Sequence, residues 1–144
     1  MPATGTWVVW AILSAVFAAL TAIFAKIGIQ GVDSDLATLV RTVILVVVLA
    51  AFVWFMGKWS NPLALPAKTW AFLTLSGLAT GASWVCYFRA LQAGEASKVA
   101  PIDKLSVVLV AVFAVAFLGE RPSLRDWTGI AMVAGGVALL ALKR

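Results

Sequence analysis

Six carboxylates and eleven basic side chains carry all the fixed charge of this 144-residue sequence, which contains no histidine and a single cysteine, Cys86. Without a second thiol there is no intrachain disulfide, and without histidine the usual zinc and imidazole-based catalytic constellations cannot be assembled. Neither an enzyme nor a metal or cofactor is implied. The most informative acid is Asp103, set among apolar residues beside Lys104 and two positions after Pro101. A carboxylate at the middle of a bilayer costs about 2.5–3.5 kcal/mol and persists mainly where it has a partner or a purpose. If Pro101 takes the first helical position, Asp103 falls in the first turn, where the helix dipole favours an acid. If the helix begins near Ser97, Asp103 lies roughly 9 Å inside it, at a depth similar to that of Arg41. An Arg41–Asp103 pair can then act as structural glue or as the polar floor of a substrate cavity. Consecutive helical residues are rotated by about 100°, so Lys104 and Asp103 are expected to face different partners. Lys104 can snorkel to the interface or meet an anion in a cavity.

Further candidates are uncharged or peripheral. Trp84 and Tyr87 can stack on an apolar or cationic solute, or simply pack against Gly77 and Gly81. Glu95, between Arg89 and Lys98, is either a solvated loop charge or one half of a gating ion pair. Pro101 marks a helix start or a hinge. Gly129, Gly135 and Gly136 make the last apolar run smooth, as a dimer-packing face or as a lipid-facing one.

The elements that position these residues follow from composition. The chain is 63% hydrophobic and 12% charged, with seven tryptophans and a mean hydropathy of +1.05. Soluble domains carry about 25% charged residues, so lipid is the expected solvent. Long apolar runs without period-two alternation select membrane-spanning helices over barrel strands. The expectation is an all-α membrane protein, one domain over 1–144, with five spans at about 7–28, 36–56, 69–90, 99–118 and 124–142. The first span presents small residues at Ala11, Ser14, Ala18, Ala22 and Ala25, and it is read as a span rather than a cleaved signal peptide because Met1 to Thr6 carries no positive charge. The fourth is the difficult one: its uncharged stretch, Leu105 to Gly119, is 15 residues, against about 20 for a crossing, so it must recruit Pro101 to Lys104. Ser123 and Asp126 have capping-box spacing for the fifth.

The net charge of +5 does not point to nucleic acid, because most basic residues end apolar runs, where lipid headgroups lie. Lys58, Lys68, Arg121 and Arg125 fall on the N-terminal face, and Lys26, Arg89, Lys98, Lys143 and Arg144 on the other, with Arg41 and Lys104 deeper on that second side. So small an imbalance allows either insertion direction. One reading is a single orientation with little bias. The other is dual topology, in which oppositely inserted copies of an odd-span chain pair into an antiparallel dimer and so create the inverted repeats used for alternating access.

The stretch from Tyr87 to Arg125, YFRALQAGEASKVAPIDKLSVVLVAVFAVAFLGERPSLR, resembles the signature half of an EamA domain of the drug/metabolite transporter superfamily. The likeness lies in the order of an aromatic helix end, ALxxGxAS, a proline in the fourth span and FLGERPS before the last, and span number and spacing extend it over nearly the whole chain. Most members of that family carry two such domains in ten inverted-topology spans and export amino acids, other metabolites or drugs. The resemblance therefore implies half of a ten-helix fold, working as a homodimer on a small-molecule substrate in a bacterial inner membrane. Small multidrug resistance proteins are four-span relatives with a membrane-embedded Glu in the first helix. No carboxylate occurs between Trp7 and Gly31 of this chain, so their coupling mechanism is not carried over. The alternative from another class is a non-transporting membrane protein that docks a larger partner.

Overall fold

The computed structural model describes residues 5–142. Lys143 and Arg144, which follow the expected fifth span, lie outside the described residues, as do Met1 to Thr4. The described chain is helical, in the order α1 (Thr6–Gly28), α2 (Ser34–Phe55), α3 (Ala67–Ala93), α4 (Ala96–Asp103), α5 (Leu105–Leu118) and α6 (Leu124–Ala141). Five helical stretches are long and apolar enough to cross a membrane, the fourth formed by α4 and α5 together over Ala96–Leu118.

Local chemistry sets the helix ends. Asp33 sits just before α2 with extended backbone, and its Oδ1 accepts from the backbone N–H groups of Asp35 at 2.9 Å and Leu36 at 3.0 Å. It thereby satisfies two of the orphan donors that every helix start exposes. Ser123 and Asp126 form the expected reciprocal box at the start of α6, with the Asp126 carboxylate 2.8 Å from the Ser123 backbone nitrogen. Helix α5 stops at Gly119, whose φ of +67° places it in the left-handed region that a Cβ would disfavour. Between α2 and α3 the chain makes a short 3₁₀ turn, Pro62–Ala64, begun by the Asn61 side chain and braced by Trp70, whose indole donates to the Pro62 carbonyl at 3.1 Å.

The fourth span decides between the two expected starts. Glu95 precedes the first helical residue, so the helix starts at Ala96, one residue from Ser97, and Pro101 lies inside it and does not open it. Nothing in Ala96 to Ala100 opposes helix, and Glu95 already has the extended backbone of an N-cap residue. Proline has no N–H to give the carbonyl one turn back, and one turn further on the ladder is interrupted at Lys104. There the bonds tighten to i+3 spacing: the Lys104 N–H reaches the Pro101 carbonyl and the Val107 N–H reaches the Lys104 carbonyl, both at 3.0 Å.

The chain resolves into two compact units. One comprises residues 1–23 and 93–144, the other Phe24–Gln92. In the first, α6 lies along both α4 and α5. In the second, the buried residues are Ala25, Ile29, Ser34, Thr38, Phe88 and Leu91, with Leu91 wholly enclosed. Of the small-residue stripe on α1, Ala22 and Ala25 are buried, whereas Ala11, Ser14 and Ala18 are exposed. Large apolar groups cover the outside, Trp10 at 70% and Phe55 at 82% of full exposure. Water would penalise each of them, while hydrocarbon does not, so lipid takes over the part that a buried core plays in a soluble protein.

Candidate functional site

Within the 24–92 unit, Arg41 meets two aromatic rings of α3. Counted from Ser34, Arg41 is seven residues along α2, or about 10 Å at the helical rise. Its guanidinium carbon stands 4.4 Å from the centroid of Trp84 and 5.4 Å from that of Phe88. Phe88 is buried, while Arg41, Trp84 and Tyr87 are half-buried. The rings are four residues apart on α3 and therefore project from one face, which is what lets a single guanidinium touch both. An aromatic face attracts a cation through its quadrupole and offsets part of the cost of placing an arginine in a membrane.

Nearer the start of α2, Arg89 grips Asp35 with two nitrogens, Nε to Oδ1 at 2.9 Å and Nη2 to Oδ2. Lys26 donates to the backbone carbonyl of Leu91, and the Gln92 amide donates to the Val32 carbonyl at 2.9 Å. These contacts tie the end of α1, the start of α2 and the end of α3 together. Sequence reasoning did not identify the Asp35–Arg89 bridge. The available signal was topological: two consecutive spans run in opposite directions, so the start of one and the end of the next reach the same membrane face.

The other candidates lie in the 1–23 and 93–144 unit. Lys104 Nζ is 3.4 Å from the Asp103 carboxylate, contrary to the expectation that neighbouring residues would diverge. The interruption at Lys104 removes the regular rotation on which that expectation relied. Glu95 pairs with Lys98 at 2.9 Å, one turn along the same helix start. An ideal Cβ built on Gly129, Gly135 or Gly136 of α6, or on Gly77 or Gly81 of α3, meets nothing within 4 Å. Trp84 is thus seated beside Arg41 and not packed tightly on the two α3 glycines. An open groove of about 420 Å³ also lies between α5 and α6, with Val107, Ala111 and Ile130 in its walls and Glu120 and Arg121 at its rim.

A six-span count, a strand or a water-soluble surface would each have argued against the resemblance seen in the sequence; the five crossings and their order agree with it, and residues 5–142 match the EamA-like transporter family. The chain belongs to this family. It is accordingly an integral membrane protein and a membrane transporter, half the span number of the ten-helix EamA arrangement. A relative from Sinorhizobium sp., named as an uncharacterized transporter in the cobO 3' region, is 57% identical over 137 residues, covering 95% of this chain and 97% of its own. The uncharacterized transporter YxxF of Bacillus subtilis (strain 168) is 28% identical over 141 residues, which are 97% of this chain but 44% of that protein. No solved structure matches the EamA-like chain significantly.

Proposed function

We propose that the protein is a secondary transporter that exports a small metabolite, amino acid or amphipathic compound across the bacterial cytoplasmic membrane, working as a homodimer by alternating access. The observation that carries this reading is the length relation to the Bacillus relative: nearly all of this chain corresponds to less than half of a protein also named as a transporter. Two copies of a five-span chain supply what the longer relative holds in one polypeptide. An antiparallel pair gives them the inverted symmetry from which two-sided access to one site arises.

Arg41, Trp84 and Tyr87 are the proposed solute-binding residues of the 24–92 unit. Asp103 and Lys104 are a second polar element, at the interruption of the fourth span, where Pro101 supplies a hinge and the Glu95–Lys98 pair stands at the start of the same helix as a gating pair. Gly129, Gly135 and Gly136 leave α6 open for a second copy.

The decisive experiment is solute exchange in proteoliposomes of purified protein. Saturable uptake with counterflow is the expected result, and its absence with every candidate solute overturns the reading. Reporters fused to the C-terminus test the dimer geometry: activity on both sides of the membrane supports the antiparallel pair, and activity on one side alone removes it.

A further inference from the structure

We infer that Arg41 anchors the acidic group of the solute, a monoanionic carboxylate, and that the same side chain excludes cations. This deepens the transport reading above and rests on it.

The geometry first removes one option that composition left open. Trp84 presents a ring that a cationic solute could occupy, but the Arg41 guanidinium already lies 4.4 Å from its centroid. A second cation on that shelf would meet like charge at close range in a half-buried setting, where water screens poorly. The shelf therefore carries a positive charge of its own.

That charge is not matched within its unit. The sequence from Phe24 to Gln92 contains two acids, Asp33 and Asp35. Asp33 is committed to the backbone N–H groups that open α2, and Asp35 is held by both nitrogens of Arg89. The aromatic rings accept charge but offer the guanidinium no oxygen acceptors, and among the described residues Arg41 makes no ion pair or conventional hydrogen bond. Five N–H donors in a planar fork are thus left for an external acceptor, and a carboxylate fits that fork with two parallel bonds.

Charge balance selects the class of anion. Arg89 is neutralised by Asp35, and the Lys26 ammonium, though still charged, is held at the Leu91 carbonyl, so the fork of Arg41 brings one positive charge of its own to a ligand. One negative charge neutralises it; a phosphate dianion would leave an excess charge inside the membrane. The rest of the solute has room along α3, where Gly81 and Gly77 precede Trp84 by three and seven residues and their Cβ positions are open.

The test uses protein purified in a neutral maltoside detergent and three probes of one shape, benzoate, benzamide and benzylammonium, observed by saturation-transfer NMR. Benzoate is expected to bind at least about tenfold more tightly than benzamide, as a charge-assisted bond outweighs a neutral one, and benzylammonium to show no saturable signal. Arg41→Gln is expected to erase the preference, and Arg41→Lys, which keeps the charge but loses the fork, to reduce it about threefold or more. Lys68→Gln, in the first turn of α3, leaves it unchanged. Equal binding of benzoate and benzamide to the native protein overturns the inference, as does a preference that survives in Arg41→Gln. Should that variant lose its monodisperse gel-filtration profile, Arg41→Lys decides, an unchanged preference being the contrary result. Flux without carboxylate preference removes this inference alone, and carboxylate binding without flux removes the transport reading alone.

Discussion

The Arg41–Trp84 contact can be measured by a double-mutant cycle. Trp84→Leu removes the ring and some packing, Arg41→Met removes the charge and keeps a similar stem, and the double variant removes both. At 4.4 Å from the Trp84 centroid and half-buried, the guanidinium lies between the exposed and the desolvated limits for a cation over an aromatic face. That places the interaction at about 1 kcal/mol, rising toward about 2 if lipid excludes water from the contact. Phe88, at 5.4 Å, still faces the cation after Trp84→Leu, which keeps the measured coupling near the lower figure. The packing loss enters both arms of the cycle equally and cancels. Reversible unfolding in mixed detergent micelles, followed by near-ultraviolet circular dichroism, gives the four stabilities. About 1 kcal/mol corresponds to a roughly fivefold change in the folded-to-unfolded ratio, well within reach of such a titration. Additivity of the two substitutions to within about 0.3 kcal/mol would refute the idea that the ring holds the charge.

Other consequences are accessible to the same unfolding assay. Asp33→Ala should cost about 1 kcal/mol through loss of the α2 cap, while Asp33→Asn, which keeps an acceptor oxygen, should cost a fraction of that. Gly119→Val should destabilise by about 1–2 kcal/mol from left-handed backbone alone, since the space around its Cβ position is open, and Gly119→Asn should cost less. Pro101→Ala restores an N–H toward the Ser97 carbonyl and should stabilise the fourth span by up to about 3 kcal/mol; slower exchange in proteoliposomes by the same variant is the expected sign that the interruption serves transport. An unchanged melting profile for Pro101→Ala would mean that the proline does not weaken the fourth span.

Much of the fold was legible because membrane spanning depends on quantities that a sequence displays directly: run length, breaks and end residues. The α6 capping box follows from Ser123 and Asp126 alone, and the stop at Gly119 from the run that it closes. The start of the fourth span was not legible in the same way. Pro101 is favourable at a first helical position and tolerable deeper in, and nothing in the string of letters decided between a start there and the alternative start near Ser97, one residue from the observed Ala96. Of the candidate site, the residue types were readable but their pairing was not. Depth along the span made Asp103 one possible partner for Arg41, and helical periodicity tells which residues share a face but says nothing about which face a neighbouring helix offers. Trp84 and Phe88 lie four positions apart, and that they receive Arg41 is decided by tertiary placement. The Asp103–Lys104 approach was missed for the opposite reason, since regular geometry was assumed at the one place where it fails.

Adjacency in the chain gives that last pair a property that no interhelical bridge has. An ion pair joining two helices must open when they separate, and each opening strands two charges in hydrocarbon. Asp103 and Lys104 are neighbours by covalent bond, so their mutual neutralisation travels with them through any rotation of α4 against α5. Were the fourth span to pivot at this interruption, as proposed above, the swing would meet no large electrostatic barrier, because the counter-ion rides on the moving part.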